Sequence, residues 1–200
     1  DLALKAPKPV GREYPTELRT IGDHVRKRRL DLGLSQQDLA KILRVTVSTV
    51  SYWETKRANP SIRSLSRVLR FLGYDPRPQA KAFPELIRQL RQGLGLSQEG
   101  LAEKIGVDPS TVRKWEKLGY HPRPQLYARL AKILRIPDPP EDSPIGERIR
   151  ARRLKLGMTQ AEASAQIGVS QDTLSRWELG GNHPQGEDIQ KTSRILKFQI

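Results

Sequence analysis

The sequence predicts an all-α chain made of three tandem copies of one four-helix unit, and three observations carry that reading. The segment Leu32-Gly33-Leu34-Ser35-Gln36 returns as Leu94-Gly95-Leu96-Ser97-Gln98 and as Leu156-Gly157-Met158-Thr159-Gln160. A Trp-Glu pair follows each at one distance (Trp53-Glu54, Trp115-Glu116, Trp177-Glu178), so the tryptophans set a period of 62 residues, a step that Pro60, Pro122 and Pro184 keep. A fixed period of this kind marks a repeat architecture. Capping residues and apolar residues also recur at helical spacing in every copy. A unit this long carries a small core of its own, which favours three compact modules over one large domain. We place them at 16–76, 77–136 and 137–200, the last with its linker, after a lead-in over 1–15 expected to be disordered.

Within the first copy, Thr20 caps a helix running to about Leu32, with Asp23 as its capping-box partner. Gly33 stops that helix in the C-cap role. A second, short helix starts at Ser35 with Asp38 in the same box, repeated as Thr159 with Glu162. Its apolar face is Leu39, Ala40 and Leu43, or Leu101, Ala102 and Ile105 in the second copy. The following turn carries Gly106 and Gly168, where a positive φ costs glycine little. Arg44 holds that place in the first copy, a departure worth ~1 kcal/mol if the turn is the same.

A third helix begins after Thr46, Asp108 or Ser170, all good N-caps, and Pro109 sits at its first position in the second copy. Val50, Trp53 and Glu54 fall inward at i, i+3, i+4, while 47, 48, 51 and 52 fall outward. Past Pro60 a fourth helix shows Ile62, Leu65, Val68, Leu69 and Leu72 on one stripe. Proline-rich linkers over 75–82 and 137–144 are short and stiff. The third copy departs from the pattern: Ala163-Ser164 replace Leu39-Ala40, and Thr192-Ser193 replace Val68-Leu69. Its core is expected to be smaller, more polar and less stable.

Composition bounds the partners. Among 200 residues, 36 basic and 22 acidic side chains leave a formal net charge of +14, which favours nucleic acid first and an anionic membrane surface second. The absence of cysteine excludes disulfides and thiolate metal sites and permits an intracellular location. No apolar stretch approaches the ~20 residues that span a bilayer. Without an initiating Met or an apolar signal core, residues 1–13 read as a tag remnant, a truncation point or a flexible lead-in.

The second helix, a three- to four-residue turn and a third helix with a polar outer face form a helix-turn-helix pattern. The run Ser97-Gln98-Glu99-Gly100-Leu101-Ala102-Glu103-Lys104-Ile105-Gly106-Val107-Asp108-Pro109-Ser110-Thr111-Val112 resembles the lambda-repressor/Cro-like (Xre) family of bacterial and phage DNA-binding domains. The resemblance covers about 21–74, 83–136 and 145–198, and three copies in phase make it specific. It implies three tandem lambda-repressor-like helix-turn-helix domains. Gln36, Gln98 and Gln160 match the family's glutamine at the start of helix two, which implies phosphate binding together with backbone N–H groups. Arg29, Arg91 and Arg153 match a helix-one arginine, which implies buried structural pairs with Glu54, Glu116 and Glu178.

Base reading then falls to the exposed face of the third helix: Val47, Ser48, Ser51 and Tyr52; Pro109, Ser110, Arg113 and Lys114; Gln171, Asp172, Ser175 and Arg176. Gln171 suits adenine N6/N7 and Arg176 suits guanine O6/N7. Arg113 or Lys114 serves either guanine or phosphate, and Val47 and Tyr52 offer apolar contact. Lys56, Arg57, Lys117 and Arg123, read as lying after the third helix, are expected on the DNA backbone.

No catalytic constellation, cofactor motif or metal spacing appears, so an enzyme is not expected. His24, His121 and His183 occur one per copy with no paired ligand; His121 and His183 read as phosphate contacts or solvated side chains. The tryptophans read as core rather than as stacking platforms for single strands. The expectation is a sequence-specific double-stranded DNA-binding protein and transcriptional regulator of the bacterial cytoplasm and nucleoid. It would bind an asymmetric site as a monomer, with recognition helices in successive major grooves and no membrane partner. Two alternatives stay open: a protein-interaction or oligomerisation unit that reads no DNA, and the DNA-targeting part of a larger assembly.

Overall fold

The computed structural model describes residues 14–80 and 82–198. Most of the lead-in, 1–13, lies outside the described residues. The chain divides into two compact units, residues 1–100 and 101–200. All regular structure among the described residues is helical.

The first unit holds α1 (Ile21–Asp31), α2 (Gln36–Leu43), α3 (Val47–Glu54), α4 (Ile62–Leu72), α5 (Phe83–Gly93) and the start of α6 (Gln98–Ile105). The second holds the rest of α6, then α7 (Pro109–Leu118), α8 (Pro124–Leu134), α9 (Ile145–Lys155), α10 (Gln160–Ile167), α11 (Gln171–Glu178) and α12 (Glu187–Leu196). The joints between successive copies fall inside these two units and are packed. Helix α4 lies on α5 in the first unit, and α8 lies on α9 in the second.

Local chemistry sets the helix ends. The Thr20–Asp23, Ser35–Asp38 and Thr159–Glu162 capping boxes all form with both reciprocal hydrogen bonds. In the second copy Gly100 stands where the others have a carboxylate, and the Ser97 hydroxyl accepts from the Gly100 N–H at 3.0 Å. Arg44 adopts the left-handed turn that Gly106 and Gly168 adopt, at φ 53°. The fold therefore keeps the turn and accepts the strain of a Cβ there.

In the first repeat Val25, Leu39, Ala40, Leu43, Val50, Trp53, Val68 and Leu72 form one buried cluster. In the third, Ile149, Ala163, Ile167, Leu174, Trp177 and Leu196 do so. The fourth-helix stripe is wider than the core it serves. Leu65, Val68 and Leu72 are buried, Ile62 is exposed, and Leu69 turns toward Gly93 of α5. Close approach of helix one to helix three fixes two glycines. A Cβ on Gly22 would collide with the Trp53 carbonyl oxygen, and one on Gly146 with that of Trp177. Tyr14, read as part of a disordered lead-in, instead donates from its hydroxyl to Asp31 Oδ1 and carries Lys27 over its ring.

Candidate nucleic-acid interface

The exposed face of each third helix is built from below. Val50, Trp53 and Glu54 face inward from α3, which leaves Val47, Ser48 and Tyr52 facing solvent. Arg29 reaches Glu54 from α1 with two parallel bonds, Nε to Oε1 at 2.6 Å and Nη2 to Oε2 at 2.7 Å. Its remaining nitrogen, Nη1, donates to the Leu34 carbonyl at 2.9 Å, tying the turn before α2 to the same guanidinium. Both partners are buried, and a fork of this geometry satisfies the charges it takes out of water.

The third repeat builds the same arrangement from Arg153, Glu178 and the Met158 carbonyl, at 2.5, 2.8 and 2.8 Å. In the second, Arg91 donates to the Leu96 carbonyl at 2.7 Å, and Arg91 and Glu116 are each buried.

One member of this network was not legible in the sequence. Gln36, at the first position of α2, donates from Nε2 to Glu54 Oε2 at 2.9 Å, and Gln160 donates to Glu178 Oε2 at the same distance. The buried carboxylate thereby fixes the amide, because only its NH₂ side is attracted to the anion. One Nε2 hydrogen is committed inward, and the second stays available beside the uncapped N–H groups of the helix start. Each glutamine is thus half-buried and held in one orientation by a buried glutamate. Gln98 occupies the same helix position in α6 and is likewise half-buried.

The positions expected to read bases lie on the outer side of each third helix. Val47, Ser48 and Tyr52 on α3, Ser110, Arg113 and Lys114 on α7, and Gln171, Asp172 and Arg176 on α11 are exposed, while Ser51, Pro109 and Ser175 are half-buried. The three faces differ in kind: α3 is apolar and hydroxylic, α7 cationic, α11 mixed. On α11, Arg176 Nη2 pairs with Asp172 Oδ2 at 2.8 Å, both well exposed. Such a pair is worth at most ~1 kcal/mol and screens out in salt, so it orients the guanidinium without locking it.

One flanking placement needs correction. Lys117 does not follow the third helix of its copy; α7 continues to Leu118, so Lys117 lies in its last turn. Lys56 does follow α3, at φ 62°, but its ammonium pairs with Asp23 Oδ1 at 3.2 Å rather than standing free. Arg57 is exposed in the turn after α3, and Arg123 is the N-cap residue of α8, its side chain exposed. Among the described residues, no group of three or more His, Cys, Asp or Glu could hold a metal ion. No helix there is long and apolar enough to cross a membrane.

Comparison with known proteins follows the same three copies. The sequence profile described as helix-turn-helix matches residues 25–78, 87–138 and 149–200. Repressor protein C2 of Salmonella phage P22 is 43% identical over 53 residues, 26% of this chain and 24% of that protein. The HTH-type transcriptional regulator DicA of Escherichia coli K12 is 38% identical over 53 residues, 26% of this chain and 39% of its own length. An uncharacterized HTH-type transcriptional regulator of Methanothermobacter thermautotrophicus is 47% identical over 49 residues, 24% of this chain and 71% of that protein. The chain thus spans about a quarter of the P22 repressor and two fifths of DicA. No solved structure gives a significant match.

Proposed function

The chain belongs to the helix-turn-helix family, and from that premise we propose that it binds double-stranded DNA sequence-specifically as a transcriptional regulator. Helices α3, α7 and α11 are the recognition helices, each entering a major groove of one asymmetric site. One observation carries the reading. Three exposed helix faces with three different side-chain sets stand in one chain, and in the first and third the adjoining glutamine is aimed by a buried Arg–Glu fork. A fold that served only to dock or oligomerise would have no use for a glutamine held at a helix N-terminus with an amide hydrogen free. The names of the relatives support the regulator class.

The roles divide by chemistry. Gln36, Gln98 and Gln160, with Lys56, Arg57, Lys117 and Arg123, contact phosphate and set the register. The exposed side chains of α3, α7 and α11 read base edges, Gln171 to adenine and Arg176 to guanine. The modules run head to tail in one chain, so a monomer meets three different subsites in one direction rather than a palindrome.

Selection of duplexes from a random pool, followed by a salt titration, tests this. The expected consensus is asymmetric with three unlike subsites. With ~3–4 phosphates neutralised per module and ~0.9 per phosphate, the log–log salt slope falls at roughly −8 to −11. A clean palindrome with a slope near two thirds of that would instead identify a dimer using one module per chain. Failure to enrich any sequence would favour the protein-interaction reading.

A further inference from the structure

We propose that the second and third modules act as one reading head, in which the α8–α9 seam fixes the spacing between the DNA subsites that α7 and α11 read. The inference rests on the DNA-reading role above. The seam helices α8 and α9 and the reading helices α7 and α11 lie inside one compact unit, residues 101–200.

The seam closes over Gly157, in the turn that follows α9. A Cβ there would sit 3.5 Å from the Ala128 methyl, 3.6 Å from Gln125 Cα and 3.9 Å from the Pro124 carbonyl oxygen, so the turn rests directly on the first half of α8. Gly33, at the same place in the first copy, has nothing within 4 Å of such a Cβ. One repeated glycine therefore makes only a turn in one module and a contact surface in another.

The linker is fastened as well as short. Asp138 Oδ1 accepts from Lys155 at 2.8 Å, and its Oδ2 pairs with Arg152 at 3.6 Å. Arg148 donates to the Glu141 carbonyl at 3.3 Å, and the Phe198 ring lies under Arg148 and Arg152 at 5.4 and 6.0 Å. At the other end of the seam, His121 in the loop leaving α7 faces Arg150 of α9. Partial desolvation, and then the Arg150 charge, lower its imidazole pKa. The third module's counterparts of Gln125 and Ala128 are Glu187 and Gln190, both exposed on α12.

A free linker of eight residues spans anything up to ~27 Å and would accept many subsite spacings. A packed seam accepts one, and two linked sites lose their joint affinity when geometry forbids simultaneous engagement.

The chain has no cysteine, so spin labels on Glu103→Cys and Gln166→Cys, exposed on α6 and α10, report the distance between the modules in the full chain without DNA. A single narrow distance distribution is expected. Ala128→Glu, which puts a carboxylate into the seam, and the milder Asp138→Asn should broaden it; a broad distribution in the parent chain would overturn the proposal. On the selected duplex, inserting one or two base pairs between the second and third subsites should weaken the parent ~100-fold and either variant less than ~10-fold. Equal tolerance in parent and variants would remove the seam's role in spacing while leaving DNA reading intact. A narrow distribution without any sequence-selective binding would remove both the reading role and the spacing that depends on it.

Discussion

In the first module Leu39, Ala40 and Val68 close the core around Trp53; in the third the same places hold Ala163, Ser164 and Thr192 around Trp177. Ser164 satisfies its hydroxyl on the Ala161 carbonyl at 3.1 Å, but the Thr192 hydroxyl is fully buried with no partner. The Arg–Glu–Gln network beneath α3 and α11 is nevertheless the same bond for bond. The difference teaches that the scaffold of the exposed third-helix face and the stability of its module are separable. The face depends on one polar network and one glycine-to-tryptophan approach, and the apolar filling around them can shrink without moving either.

The largest effect should come from breaking that network. Glu54→Ala and Glu178→Ala each leave a buried guanidinium unpaired, and each should cost about 3–5 kcal/mol. Native-state hydrogen exchange on the full chain would show α1–α4 weakened but still protected by the first variant. The second should lose protection across α9–α12 altogether, because the third module starts with less to lose. Equal residual protection in the two would break the comparison.

Exchanging the core residues should move each module toward the other. Thr192→Val removes an unpartnered buried hydroxyl at nearly constant volume and should raise the third module's stability by about 1–3 kcal/mol; Val68→Thr should lower the first by a similar amount. Denaturant unfolding followed by tryptophan fluorescence in single-tryptophan variants reads each separately. A smaller step, about 1 kcal/mol, is expected from Arg44→Gly, which gives the first module the glycine its turn conformation favours. Arg67 keeps its bond, because its acceptor is the backbone carbonyl of residue 44.

The smallest effect concerns acid. Hydrogen bonds from Ser35 hold the Asp38 carboxyl below its ordinary value, and those from Thr159 hold Glu162 below its own. Burial alone would raise Asp23, but donors from Thr20, Lys56 and Arg19 outweigh it and lower that carboxyl too. Groups depressed in the fold stabilise it fully above their unfolded values and lose that contribution as pH falls through the folded ones. Both modules should therefore loosen below about pH 4. The first should lose more, since α9 begins at Pro144 with no side-chain cap to release. Amide exchange at the helix starts, followed from pH 6 to pH 3, would show the asymmetry.

The resemblance to the lambda-repressor/Cro-like family supplied the Arg–Glu pairs of the first and third copies, while the sequence by itself determined the repeat, the helix starts that capping residues mark and the phase of each third helix. Those features are local or strictly periodic, so capping chemistry and a 62-residue step expose them. Tertiary structure alone decided that Glu54 and Glu178 also hold Gln36 and Gln160, and that Lys56 turns back to Asp23. It also decided that Tyr14 docks on Asp31 and that Gly157 closes a seam where Gly33 only makes a turn. Each of these depends on which separate segments meet in space. An identical residue in each copy leaves no mark of that, because its surroundings, not its own chemistry, differ from one module to the next.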